Sequence, residues 1–128
     1  MKINIGKYPN HRFYHNWLYN WFGYSPKQRT SIKIHNYDTW SMDHTLAHIV
    51  LPMLVQLKAT QHGHPANMTE QEWDEILDKM IWAFEQKCRD DWMDDYDYSW
   101  NSEEAKVHQE RMTNGFKLFG KYYESLWD

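Results

Sequence analysis

A chain of 128 residues with net charge −4 and 17% aromatic side chains has enough mass for one hydrophobic core and too little positive charge for a general nucleic-acid binder. Its one cysteine, Cys88, excludes an internal disulfide framework and reads as a small buried hydrophobe one turn from Phe84. No apolar segment follows Met1 and no run approaches the roughly 18 apolar residues that span a bilayer, so the reading is one soluble domain over 1–128 with no membrane partner.

Taken in order, Met1 to Lys7 alternates through Ile3 and Ile5, and Ile32 and Ile34 alternate in the same way, so residues 2–6 and 31–35 predict a two-stranded ribbon. Between them Phe13, Tyr14, Trp17, Leu18, Trp21 and Phe22 recur at helical spacing, predicting a helix near 11–22 stopped by Gly23 and Pro26, its rings packed in the core. The next helix spans 42–61. Ser41 is its N-cap, Asp43 suits the positive end of its dipole, and Leu46, Ile49, Val50, Met53, Leu54 and Leu57 form its apolar face. This helix is expected to be central and mostly buried, kinked between His48 and Pro52, and closed by a left-handed Gly63 before Pro65.

Thr69-Glu70-Gln71-Glu72 is a capping box opening a helix over 70–88, with Trp73, Ile76, Leu77, Met80, Phe84 and Cys88 as its buried stripe. The aspartates between Asp90 and Asp97 lack the glycine and terminal glutamate of a calcium loop and predict an acidic connection. Ser102-Glu103-Glu104 starts the last helix, 103–126, which should dock on the central one. Its Gly115 and Gly120 each mark a close approach of another helix or a ligand. The fold class is therefore mainly α, a small bundle of three to four helices with an N-terminal β-ribbon.

Three stretches carry a resemblance: Asp38-Thr39-Trp40-Ser41-Met42-Asp43-His44-Thr45-Leu46-Ala47; then Leu51-Pro52-Met53-Leu54 with His62-Gly63-His64-Pro65; and Phe119-Gly120-Lys121-Tyr122-Tyr123 closing with Leu126-Trp127-Asp128. Together with 74–86 and 111–118 they resemble a small protein family encoded by tailed bacteriophages, from about Lys33 onward. The resemblance implies a viral accessory protein working in the host cytoplasm, and carries over no catalytic residue and no cofactor.

The charge is uneven: residues 1–64 hold seven Lys and Arg against two Asp, and residues 65–128 hold seven against sixteen Asp and Glu. The halves could attract each other, or the basic half could face an anionic ligand. Aromatic faces stack on bases and Arg or Lys bonds phosphate, so the preferred expectation is capture of a small anionic ligand such as a nucleotide signal of host defence. Trp40, Asp43, His44, Arg111, Asn114, Lys117 and Lys121 are its candidate residues. Trp40 equally fits a core plug, and the cations a solvated helix face.

Two other functions stay open. One is inhibition of a host protein by direct contact, with Trp92, Trp100 and Trp127 as exposed anchors. The other is a metal-dependent nucleotide hydrolase, since His44 and His48 lie four apart beside Asp43, with Asp38, Glu72, Glu75 or Asp78 as candidates for a further ligand. Two histidines do not make a metal site, so no metal ligand is assigned. The abundance of aromatics also predicts a homodimer.

Overall fold

The computed structural model describes residues 1–9, 12–60, 63–89, 91–96 and 102–127. Among them the chain is mainly helical, with four α-helices and a small two-stranded antiparallel sheet, as the sequence pattern predicts. Its contacts divide it into two compact units, Met1–Trp40 and Ser41–Asp128.

In the N-terminal unit, β1 (Lys2–Ile5) pairs antiparallel with β2 (Thr30–Lys33), placing Lys2 opposite Lys33, Ile3 opposite Ile32 and Asn4 opposite Ser31. The Gly6 N–H donates to the Arg29 carbonyl at 2.8 Å and carries the ladder one residue further. Side chains of a strand alternate with period two, so Lys2, Asn4, Arg29, Ser31 and Lys33 share one face and the isoleucines take the other. Helix α1 (Phe13–Phe22) begins where the Arg12 N–H donates to His15 Nδ1 at 2.8 Å. It stops at Gly23, whose φ of 65° turns the chain so that the Gly23 N–H donates to the Tyr19 carbonyl at 2.9 Å. A 3-10 turn, Asn36–Thr39, leads to Trp40.

The aromatic helix departs from expectation. Phe13, Trp17, Trp21 and Phe22 are exposed, and His15 is the buried residue of α1. Their spacing does make a helical stripe, but no other described element packs extensively on α1 to cover it, and the unit's only other regular elements are two four-residue strands and a short 3-10 turn.

The C-terminal unit is an antiparallel arrangement of α2 (Met42–Thr60), α3 (Glu70–Arg89) and α4 (Glu103–Lys121). The capping box forms as expected: the Thr69 N–H donates to Glu72 Oε2 at 2.7 Å, and the Glu72 N–H to Thr69 Oγ1 at 3.2 Å. Ser102 Oγ accepts the Ala105 N–H at 3.1 Å and caps α4. The helix in the middle is α3, not α2, since α2 and α4 each pack chiefly on α3. Ala47, Leu54, Trp73, Leu77, Met80 and Phe84 form the main buried cluster, with Val50, Leu51 and Leu57 against it. On α2 the buried face thus centres on Ala47, Leu51 and Leu54, while Leu46 and Met53 are exposed, so this helix is half-buried.

Gly115 explains why α4 chooses α3. A Cβ there would strike the Ala83 side chain and stand 2.7 Å from the Lys79 carbonyl oxygen, so only a glycine lets the two backbones come this close. Phe84 then meets Phe116 and Phe119 edge-on at centroid distances of 5.2 and 5.1 Å. Gly120 faces open space, and a close approach is not its role. Nor does Gly63 supply a left-handed cap, because Gly23 is the one described glycine with positive φ. Helix α2 runs unbroken through Pro52 to Thr60, and Gln61 and His62 lie outside the described residues. Helix α4 ends at Lys121, short of 126, where Tyr122 leaves helical geometry and a 3-10 turn, Tyr123–Ser125, follows.

Candidate functional site

Asp43 and His44 sit in the first turn of α2, and both are engaged by Lys87 near the end of α3. The Lys87 ammonium pairs with the Asp43 carboxylate at 2.5 Å and, as the largest influence, holds that carboxyl below the usual carboxylate range. His44 Nδ1 lies 3.1 Å from the Lys87 carbonyl oxygen, and His44 Nε2 lies 3.1 Å from His48 Nε2. A carbonyl only accepts, so Nδ1 carries the proton and donates to it. His44 Nε2 is then the acceptor and His48 Nε2–H the donor. The arrangement fastens the start of α2 to the end of α3 and leaves neither Asp43 nor His44 as a free base.

Among the described residues no group of three or more His, Cys, Asp and Glu side chains converges as a metal-binding set would. Two of the other candidate carboxylates are committed elsewhere. Glu72 closes the capping box, and Asp78 pairs with Lys58. In the acidic connection, Arg89 bridges Asp91 and Asp95 at 2.8 Å each, so a guanidinium occupies the place a cation would take. Asp90 and Asp97 lie outside the described residues, as does Trp100.

The cations of α4 are placed differently. The Arg111 guanidinium lies 3.7 Å from the Trp82 ring centroid, and Lys121 lies 5.1 Å from that of Tyr122. Asn114 and Lys117 line a surface hollow of about 220 Å³ with Gln109, Glu110 and Thr113. Arg111 belongs to a packed aromatic group instead: His108 stacks on Trp92 at 4.5 Å, bonds the Tyr96 hydroxyl at 3.0 Å and adjoins Trp82. Trp92, expected to be an exposed anchor, is 7% exposed in this group, whereas Trp127 is exposed as expected.

Another hollow is one the sequence did not announce. A groove of about 780 Å³ runs between α2 and the C-terminal residues, lined mainly by Val50, Met53, Leu57, Phe119, Leu126 and Trp127. Its volume is that of a ligand site, but its lining carries no cation to meet an anion. None of the seven candidate residues lines it.

Trp40 belongs to the N-terminal unit and is 86% exposed, which excludes a core plug. It has company there. Residues 1–40 contain ten aromatic side chains, and Phe13, Trp17 and Trp21 make an exposed row along α1, four residues apart. The same stretch holds six Lys and Arg against a single acid, Asp38. That carboxylate is spent internally, accepting the His35 N–H at 2.7 Å and pairing with the Met1 ammonium at 3.1 Å. No family model, curated protein or solved structure matches this chain. The site therefore rests on its own geometry, and among the described residues the exposed aromatic side chains are concentrated in the N-terminal unit. Its signal in the sequence is the absence of any acid before Asp38, blurred when charge is summed over residues 1–64.

Proposed function

We propose that this chain is a non-catalytic binding protein, an accessory factor of the phage type its motifs resemble, and that it works by surface contact between its N-terminal unit and a macromolecular partner. One observation carries the reading: ten aromatic side chains in forty residues, with Phe13, Trp17, Trp21 and Trp40 open to solvent. Exposed aromatic patches mark interaction surfaces, and Trp and Tyr dominate contact energy where partners meet. Small-molecule sites are concave and enclose most of their ligand, which a row of outward-facing rings does not do.

The narrower expectation, capture of a small nucleotide-like anion at Trp40, Asp43, His44, Arg111, Asn114, Lys117 and Lys121, has less behind it. Asp43 and Arg111 are already partnered, and the hollow at Asn114 and Lys117 is smaller than the roughly 300 Å³ where ligand sites begin. A hydrolase using Asp43 and His44 meets the same objection.

The test places a diazirine side chain at position 21, and in a second protein at position 78, followed by photolysis in living bacteria. Adducts of high mass at position 21 but not at position 78 are expected. A nucleotide co-purifying with protein that forms no adduct at either position would replace this reading with small-ligand capture.

A further inference from the structure

The ribbon of the N-terminal unit has two unlike faces. One carries Ile3, Ile5 and Ile32; the other carries Lys2, Asn4, Arg29, Ser31 and Lys33, with Lys2 directly opposite Lys33. Opposed side chains on paired strands stand about 5 Å apart at Cβ, so two like charges there weaken the pairing. No acid of the unit relieves them, since Asp38 is held by Met1 and His35. Among the described residues, Lys2, Arg29 and Lys33 have no ion-pair partner. Asn4 and Ser31, between the cations, add hydrogen-bonding groups and no charge.

A surface that keeps three unpaired cations on one strand face, in a unit with exposed rings, matches a ligand that offers phosphates and flat apolar faces together. We propose that the N-terminal unit binds single-stranded nucleic acid, using both the cationic face of the ribbon and the aromatic row of α1. The inference rests on the reading of this unit as a contact surface and names its partner. Lys2, Arg29 and Lys33 take the phosphates, and Trp17 and Trp21, whose centroids are 6.3 Å apart, offer rings on which bases stack. Duplex DNA would satisfy the cations but hide the bases, leaving the rings without a role. The net charge of −4 does not oppose this, because residues 1–40 carry +5 and residues 41–128, with eight Lys and Arg against seventeen acids, carry −9. The acidic remainder restrains unspecific adsorption and raises the dependence on base stacking.

Fluorescence anisotropy of the full chain with a labelled oligothymidylate of about twenty nucleotides tests this. Binding should weaken with salt at a slope of about −2 in log–log form, as three neutralised phosphates require. It should also quench tryptophan emission. Lys2→Glu with Lys33→Glu should lower affinity more than tenfold and flatten the slope. Trp17→Ala with Trp21→Ala should cost about tenfold while leaving the slope in place, a separation that general unfolding would not produce. Equal affinity for a blunt duplex, or for inorganic polyphosphate without quenching, would overturn the inference. Photo-adducts at position 21 that contain protein only, with no oligonucleotide binding, would overturn it too while leaving the contact reading intact. Absence of adducts and of binding would remove both.

Discussion

In the C-terminal unit Trp73 and Trp92 are 2% and 7% exposed and their rings meet other rings, whereas Trp21 and Trp40 of the N-terminal unit stand 72% and 86% open. The side-chain chemistry is the same; the available cover differs. Helices of 19 and 20 residues give each ring on α3 a facing surface on α2 or α4, while the N-terminal unit has one helix of 10 residues and two strands of 4. Burial of a large apolar side chain contributes about 1.5–3 kcal/mol, so leaving several open is costly to solubility and gains nothing in stability. The contrast teaches that one unit has the facing helices to bury its rings and the other leaves them open to solvent.

The largest effect that would sharpen this contrast is Trp73→Ala, which should destabilise the C-terminal unit by about 3–5 kcal/mol in urea unfolding. Gly115→Val should follow with about 1–3 kcal/mol or more, because its methyls would push against Ala83 and Lys79. Gly120→Ala, in open space within the same helix, should instead stabilise by up to about 1 kcal/mol. If the two glycine variants behaved alike, the close approach of α3 and α4 would not be the reason for Gly115.

A pH titration of the melting temperature should show a smaller effect centred on His108. Burial holds this imidazole below its usual range, Arg89 and Arg111 act in the same direction, and Asp95 opposes them. The Tyr96 hydroxyl and the Trp82 and Trp92 rings complete its surroundings. The unfolded chain then takes up a proton first, so stability is full above the ordinary imidazole value of about 6.5 and declines as pH falls through it. His108→Phe should remove that decline. The smallest effect should be Trp21→Ser, within about 0.5 kcal/mol in stability, with loss of partner contact. A large destabilisation by Trp21→Ser would break the comparison between the units.

Much of the fold was legible in the sequence because the signals were local. The Thr69–Glu72 box and the Ser102 cap set the starts of α3 and α4, and the alternation of Ile3, Ile5 and Ile32 marked the ribbon. What escaped depended on partners distant in sequence. The apolar run of α2 suggested a central helix, but centrality belongs to α3, whose Ala83 admits Gly115 and whose stripe is wide enough for two neighbours. The candidate site was less legible still. The spacing of Asp43 and His44 is real, yet only the position of Lys87 shows that both are tied down. Periodicity in Phe13, Trp17 and Trp21 identifies a stripe without saying whether anything covers it.

Among the described residues, sheltered and open tryptophans differ in optical environment. Trp73 and Trp92 should emit at short wavelength and ignore dissolved quenchers, while Trp17, Trp21, Trp40 and Trp127 emit further to the red. The opposite charges of the two units divide the open set again. Iodide is drawn towards the cationic stretch holding Trp17, Trp21 and Trp40, and caesium towards the acidic stretch holding Trp127. Each half of the chain thus carries its own reporter, addressable by choice of ion in an unlabelled protein.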